Sequence, residues 1–191
     1  SFVISLVNEI NPGDIIQVSY SGDGLKSVDG LQLNNFSLET VDNTISYIHD
    51  IPGKIEAEHY FFQKGISTEA VSDFGGGLNI GNLDDGDYAD YKVRINSSGT
   101  YNVTYRSAAD SEWSNGGQVE IGFVDTLTNK FSSIQNVILP LTNGWQDWEN
   151  TSKAVDLPEG NFIMRLRVVE GPFNLNWFSF DDSVSVGIPI P

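Results

Sequence analysis

Two antiparallel β-sheets packed face to face are what this sequence predicts, on three observations. Apolar and polar residues alternate with period two along several segments, the signal of strands with one buried face. Tyr101, Val103 and Tyr105 alternate with Asn102, Thr104 and Arg106, and Phe162, Met164, Leu166 and Val168 alternate with Ile163, Arg165, Arg167 and Val169. Beyond Lys54, turn residues recur roughly every ten positions, the spacing of sandwiches. No stretch carries a helical period, and the Gly- and Asn-rich, aromatic background suits strands and turns. The expected class is therefore all-β, an antiparallel β-sandwich preceded by a short N-terminal β segment, two sheets being the economical way to bury both apolar faces.

In chain order, residues 1–50 hold a strand at Ile15–Tyr20 (IIQVSY), a turn at Ser21–Gly24 and short strands divided by Asp29-Gly30. The run GDIIQVSYSGDGLKSVDGLQLNNFS resembles the C-terminal half of the Ig-like repeats of bacterial secreted proteins. Half a sandwich leaves one sheet face bare, so this partial repeat is expected to pair with the following domain or with sequence upstream. Ile51-Pro52-Gly53 punctuates the chain, and the main domain is expected over 51–182. Its strands are read at Gly53–Tyr60, Asp87–Ile95, Gly99–Ala108, Gln118–Asp125, Ser133–Leu139, Gln146–Val155, Gly160–Val169 and Leu175–Phe180. The closing SVSVGIPIP, residues 183–191, reads as a linker.

Composition narrows the function. A chain of 191 residues can bury a core without staples. The absence of Cys removes disulfides, thiolate catalysis and zinc–thiolate sites. With 26 acids against 10 bases, a net charge of −16 opposes a nucleic-acid backbone, so no nucleic-acid partner is expected. No apolar run approaches the ~18 residues of a membrane span, and Ser1 opens without a signal-peptide layout, so no membrane is expected and the chain reads as excised from something longer.

The segment from Glu69 to Tyr91, EAVSDFGGGLNIGNLDDGDYADY, stands apart. Gly75, Gly76 and Gly77 free the backbone to fold closely over a neighbouring surface, or simply to turn a hairpin. Asn79, Asn82, Asp84, Asp85 and Asp87, followed by Tyr88 and Tyr91, mix amide, carboxylate and aromatic groups. Rings stack on the C–H faces of sugars while amides and acids take their hydroxyls. GGGLNIG is not a phosphate loop, since it lacks the trailing Lys-Ser/Thr and no helix follows.

Six ordered segments, IEAEHY (Ile55–Tyr60), GISTEAVSDFGGGLNIGNLDDGDYADYKV (Gly65–Val93), SGTYNVTYRSA (Ser98–Ala108), NGWQDW (Asn143–Trp148), LPEGNFIMRLRV (Leu157–Val168) and FNLNWFSF (Phe173–Phe180), together resemble a family 6 carbohydrate-binding module. The resemblance implies a jelly-roll, galactose-binding-like sandwich, non-catalytic, appended to a polysaccharide-degrading glycoside hydrolase that is secreted or on the bacterial cell surface. It implies that Trp145, after the turn Asn143-Gly144, stacks on sugar, and that Asn174 and Glu69 bind hydroxyls. Trp148, three residues from Trp145 in an extended segment, is expected in the core. Asn82 stands where many members carry a second stacking aromatic, which puts a two-ring grip on one sugar in doubt. Trp113, in the long segment DSEWSNGG, is a candidate replacement platform or a ring packed beneath its own loop. Tyr88, with Glu120, matches a sheet face where some members have a second cleft; such a Tyr also simply packs.

Glu56 and Glu58, two apart in a strand, point to one side, where like charges repel unless a cation lies between them. The resemblance makes that cation a structural calcium and adds Asp181 with main-chain carbonyls; His59 reads as a packed or surface histidine. Two rivals remain: a protein-binding adhesion or scaffold module, and a glycoside hydrolase, for which no carboxylate pair at ~5–9.5 Å is assignable. The expected partner is a β-linked polysaccharide or oligosaccharide, with glucan, xylan, agarose or another galactan all open.

Overall fold

The computed structural model describes residues 10, 12, 14–41 and 45–182, and these residues form strands and no helix, hence no helix able to cross a membrane. Residues 183–191, read as a linker, lie outside the described residues. The chain divides into two compact units between Ser46 and Tyr47.

In the first unit β1 (Ile16–Tyr20) pairs antiparallel with β2 (Phe36–Val41), and Tyr20 lies 6.3 Å from Phe36, ring to ring. The predicted strand is there, one residue shorter. A two-stranded ladder does not by itself define an Ig-like repeat.

The second unit is a sandwich of two six-stranded sheets. It comprises β3 (Ile48–Ile51), β4 (Gly53–Glu56), β5 (Phe62–Lys64), β6 (Ser67–Ala70), β7 (Leu78–Gly81), β8 (Tyr88–Ile95), β9 (Gly99–Ala108), β10 (Gly117–Val124), β11 (Phe131–Leu139), β12 (Glu149–Leu157), β13 (Gly160–Glu170) and β14 (Asn174–Asp182). One sheet runs β11-β10-β13-β8-β3 with β5 on β8; the other runs β12-β9-β14-β7-β6 with β4 on β14. The alternation read in the sequence sets the faces: Tyr101, Val103 and Tyr105 from one sheet meet Met164, Leu166 and Val168 from the other in the buried layer. Tyr91 meets Phe178 edge-on at 5.1 Å. The buried phenols keep partners, Tyr91 donating to the Ala57 carbonyl (2.6 Å) and Tyr105 to Gln135 Oε1 (2.6 Å).

Several boundaries differ from expectation. The second compact unit already includes β3, which pairs in parallel with β8 from Ile48↔Lys92 to Ile51↔Ile95. Ile51-Pro52-Gly53 is then the step from one sheet to the other, and a Cβ at Gly53 would lie 2.5 Å from the Asp50 carbonyl oxygen. The strand expected over Gly53–Tyr60 stops at Glu56, where the His59 amide donates to the Glu56 carbonyl (3.0 Å) and closes a turn. The strand expected from Gln146 begins at Glu149, so Trp145 sits in a turn and Trp148 in the irregular segment that leads into β12. Within the Glu69–Tyr91 segment the structure shows a hairpin, β6–β7, before the aromatic strand β8.

Candidate functional site

The β6–β7 hairpin sets Glu69 directly opposite Asn79 and Ser67 opposite Gly81, so Glu69 and Asn79 share one face. Its turn uses the three glycines at φ 100°, 67° and 101°, conformations side chains disfavour. Asp73 in that turn clamps it to the sheet, accepting Arg106 Nε and Nη2 at 2.8 Å each and Asn176 Nδ2 at 3.0 Å. The Arg106 guanidinium beside Asp73 holds its carboxyl down to about 2.

Against this hairpin lie the start of β14 and the turn carrying Trp145, and between them opens a cleft of about 480 Å³ lined by Glu69, Gly81, Asn82, Asp84, Trp145 and Asn174, with Ser67, Pro172 and Phe173. Its polar floor is centred on Glu69 Oε1, which accepts from Asn174 Nδ2 (2.6 Å), Asn79 Nδ2 (3.2 Å) and Gln146 Nε2 (3.2 Å). Asn174 Nδ2 also donates to the Trp145 carbonyl (2.8 Å). Gln146 fastens the Trp145 turn to the hairpin, donating to Asn79 Oδ1 (3.1 Å) and accepting from the Ser72 amide (2.8 Å). The turn is shaped by the Thr142 hydroxyl and the Asp147 amide, both donating to the Gly144 carbonyl (3.0 and 3.1 Å). Asn174 Oδ1 fits because Gly81 has no side chain: a Cβ there would lie 2.6 Å from it.

Four predicted sugar-binding residues, Trp145, Asn174, Glu69 and Asn82, thus meet in one cleft. Asn82 sits at φ 54°, a left-handed conformation Asn tolerates and a bulky ring does not, which accounts for an amide at this position. Chemically the cleft offers a half-buried indole, a carboxylate fixed by three amides, and amide donors and acceptors; of its lining residues the charged ones, Glu69 and Asp84, are both acids. That suits a neutral polyhydroxylated ligand. Gly81, Gln146 and Phe173 were not foreseen as parts of the site, and Asp84 was noted only among the polar residues of the Glu69–Tyr91 segment. Asn79 showed only as one polar residue among several, and Gln146 lay hidden between two tryptophans.

The remaining candidates lie elsewhere. Trp148 is buried, as expected, though from the irregular segment before β12 and not by strand alternation. Trp113 is outside the cleft lining and 74% exposed, so it is not packed beneath its own loop. Tyr88 is on the outer face of the other sheet, where the Arg165 guanidinium covers its ring at 3.7 Å and Phe62 lies 6.1 Å away. Arg165 is itself paired to Asp90 (2.7 and 2.8 Å), and Glu120 on the same face is paired to Arg167. This Tyr is packed, with a ring face already taken.

Glu56, Glu58 and Asp181 are not brought together, and among the described residues no three His, Cys, Asp or Glu side chains are grouped to hold a metal. Trp177 is the residue opposite Glu56 on β14; Asp181, four positions further, is ~13 Å along the strand. Because β4 ends at Glu56, the two glutamates do not alternate on a strand either. Glu56 pairs with Lys54 (2.5 Å), while Glu58 turns inward, its Oε1 accepting weakly from the Leu78 amide (3.4 Å) and its Oε2 buried without a partner. Burial pushes the Glu58 carboxyl up. An orphaned buried carboxylate oxygen beside a second carboxylate fits a hard cation taking oxygen ligands. His59 stacks on Tyr47 at 3.8 Å, packed as expected.

Compared with known proteins, residues 56–182 match the carbohydrate binding module (family 6). The fold superposes on a solved family 6 module from Cellvibrio mixtus lichenase 5A in complex with cellotriose, at a TM-score of 0.61 and 31% identity over 69% of this chain and 98% of that one. It superposes on a β-1,3-glucan binding family 6 module from Bacillus halodurans at a TM-score of 0.62 and 31% identity, over 71% and 99%. The clotting factor G alpha subunit of Tachypleus tridentatus is 30% identical over 130 residues, which are 64% of this chain and 17% of that protein.

Proposed function

The chain belongs to family 6 of the carbohydrate-binding modules, and from that premise we propose that its rim cleft holds a neutral β-linked glucan for a catalytic domain linked to the module. Family 6 modules bind carbohydrate and are not catalytic. The observation that carries the reading is the Glu69 carboxylate, fixed by Asn174, Asn79 and Gln146 in a cleft walled by Trp145. Neutrality follows from the lining: with Glu69 and Asp84 as its charges, a uronate or sulfated glycan would be repelled. The β-linked glucan is supported by the neighbours, one solved with cellotriose and one described as binding β-1,3-glucan. A weak module of this kind raises the effective concentration of a tethered hydrolase on a secreted or cell-surface protein's insoluble substrate.

The reading includes a structural calcium at Glu58 with Glu56 beside it, supported by the orphaned Glu58 Oε2. Main-chain and amide oxygens would complete the six to eight ligands calcium takes. Asp181 has no part in it.

Affinity electrophoresis against laminarin, a mixed-linkage glucan, xylan, agarose, an alginate and a carrageenan tests the site. Binding to a neutral glucan is expected, with no retardation by the two anionic polymers. Trp145→Ala should weaken the glucan interaction at least tenfold, about 1.4 kcal/mol, and Tyr88→Ala should leave it unchanged. Loss of binding in Tyr88→Ala with Trp145→Ala unaffected would move the site to the outer sheet face.

A further inference from the structure

Trp113 carries an exposed indole that the cleft lining does not include, and its loop is built to hold it still. The Trp113 and Ser114 amides both donate to the Asp110 carbonyl (3.1 and 2.9 Å), and the Glu112 amide donates to Asp110 Oδ1 (2.8 Å). The Ser114 hydroxyl lies 2.6 Å from the Pro172 carbonyl and accepts from the Gly116 amide (3.0 Å). Gly116 closes the loop at φ 96°, where a Cβ would lie 2.7 Å from the Leu139 carbonyl oxygen. The backbone is thus fixed while the indole is left in water, and exposing so much apolar surface on a rigid support marks a contact surface more readily than a packing fault.

The anchors also say where that ring stands. Asp110 bridges to Thr142, the Thr142 amide donates to the Ala109 carbonyl (2.9 Å), and the Ala109 amide donates to the Thr142 hydroxyl (2.9 Å). Trp145 and Trp113 are each three residues from this bridge, and three residues of extended chain reach at most ~10 Å. The second anchor, Pro172, lines the cleft itself. Both routes keep Trp113 near the cleft: its neighbour Ser114 holds the Pro172 carbonyl, and Trp113 and Trp145 each lie within ~10 Å of the same bridge.

The geometry points to Trp113 as a second stacking platform that extends the rim site past Pro172, so that the module takes an elongated glucan chain and not a lone terminal sugar. This rests on the cleft reading above and adds a length requirement to it. A sugar in the cleft would meet Trp145, Glu69 and Asn174; the units leaving over Pro172 would meet Trp113.

Calorimetric titration with laminari-oligosaccharides of two to six units, with a cello-oligosaccharide series alongside, separates the two statements. Wild-type affinity is expected to rise with length. Trp113→Ala should bind the disaccharide as wild type does and lose about fivefold or more at the hexasaccharide, while Trp113→Phe recovers most of that loss. Trp145→Ala should weaken every length. Thermal melts confirm that the variants fold, as the exposure of Trp113 leads one to expect. Equal affinities of wild type and Trp113→Ala at every length would overturn the platform while leaving the cleft standing. A loss in Trp113→Ala already complete at the disaccharide would overturn the extended arrangement, placing this ring on the first sugar. Should no length bind, or Trp145→Ala bind as wild type, the cleft reading fails and this inference with it.

Discussion

Gly81→Ala tests the cleft without replacing any side chain proposed to meet sugar. The glycine is not at positive φ, so the substitution brings no backbone strain; its one effect is a methyl 2.6 Å from Asn174 Oδ1, well inside contact distance. That amide cannot simply step aside, because its nitrogen donates to Glu69 Oε1 at 2.6 Å and to the Trp145 carbonyl at 2.8 Å. Moving it by most of an ångström weakens one bond to a charged acceptor, worth ~1.5–3 kcal/mol, and one neutral bond, worth ~0.5–1.5 kcal/mol. Relaxation recovers part, leaving about 1–3 kcal/mol, or a melting temperature lower by roughly 2–10 °C for a domain of this size. Glucan binding should fall more than tenfold, because Asn174, Glu69 and the Trp145 turn lose their common register. Gly99→Ala, whose added methyl meets nothing within 4 Å, is the control for the mutation type. Calorimetry and thermal melts read both effects. If Gly81→Ala binds and melts like the control, the Asn174–Glu69–Trp145 cluster does not hold the cleft in shape.

Two further outcomes follow from the charges. The Asp73 carboxyl titrates at about 2 in the folded protein against an ordinary 3.8, so its pairing with Arg106 stabilises fully above pH ~4 and is lost as pH falls towards ~2. The difference in melting temperature between wild type and Asp73→Asn should therefore be large at pH ~5 and shrink steadily below ~4; a difference constant with pH would refute the pairing. Calcium held at Glu58 should raise the melting temperature by several degrees, since an ion at 100 times its dissociation constant adds ~2.7 kcal/mol. EDTA should remove that increment from wild type and leave Glu58→Gln unmoved; an unchanged wild-type melt with no calcium by metal analysis would eliminate the site.

Legibility in the sequence followed the physics of each element. The long strands showed because one face of each is buried, and alternation such as Tyr101/Val103/Tyr105 writes that face into the chain. β6 did not show, since Ser67–Ala70 is exposed throughout and its pairing with β7 is dictated by a glycine turn. Trp145, Asn174, Glu69 and Asn82 were found as separate matches to a family, but nothing local indicated that Gly81 must be bare or that Gln146 bridges two loops. The metal reading failed at Asp181 for want of register. Counting by two along Glu56 and Glu58 presumed a strand that ends at Glu56, and only the pairing of Trp177 with Glu56 shows how distant Asp181 is.

Every bond to the Glu69 carboxylate oxygen that organises the cleft floor comes from another element: Asn79 lies 10 residues away in sequence, Gln146 77 and Asn174 105. The last of these partners is on the final strand. No piece of the chain ending before β14 can assemble this binding surface, and no nascent chain can present it before that strand has emerged and docked. Affinity and global folding are then one cooperative property: glycan should protect amides deep in the β9–β14 ladder from hydrogen exchange as well as those around the rim, since the openings that expose that ladder also dismantle the cleft.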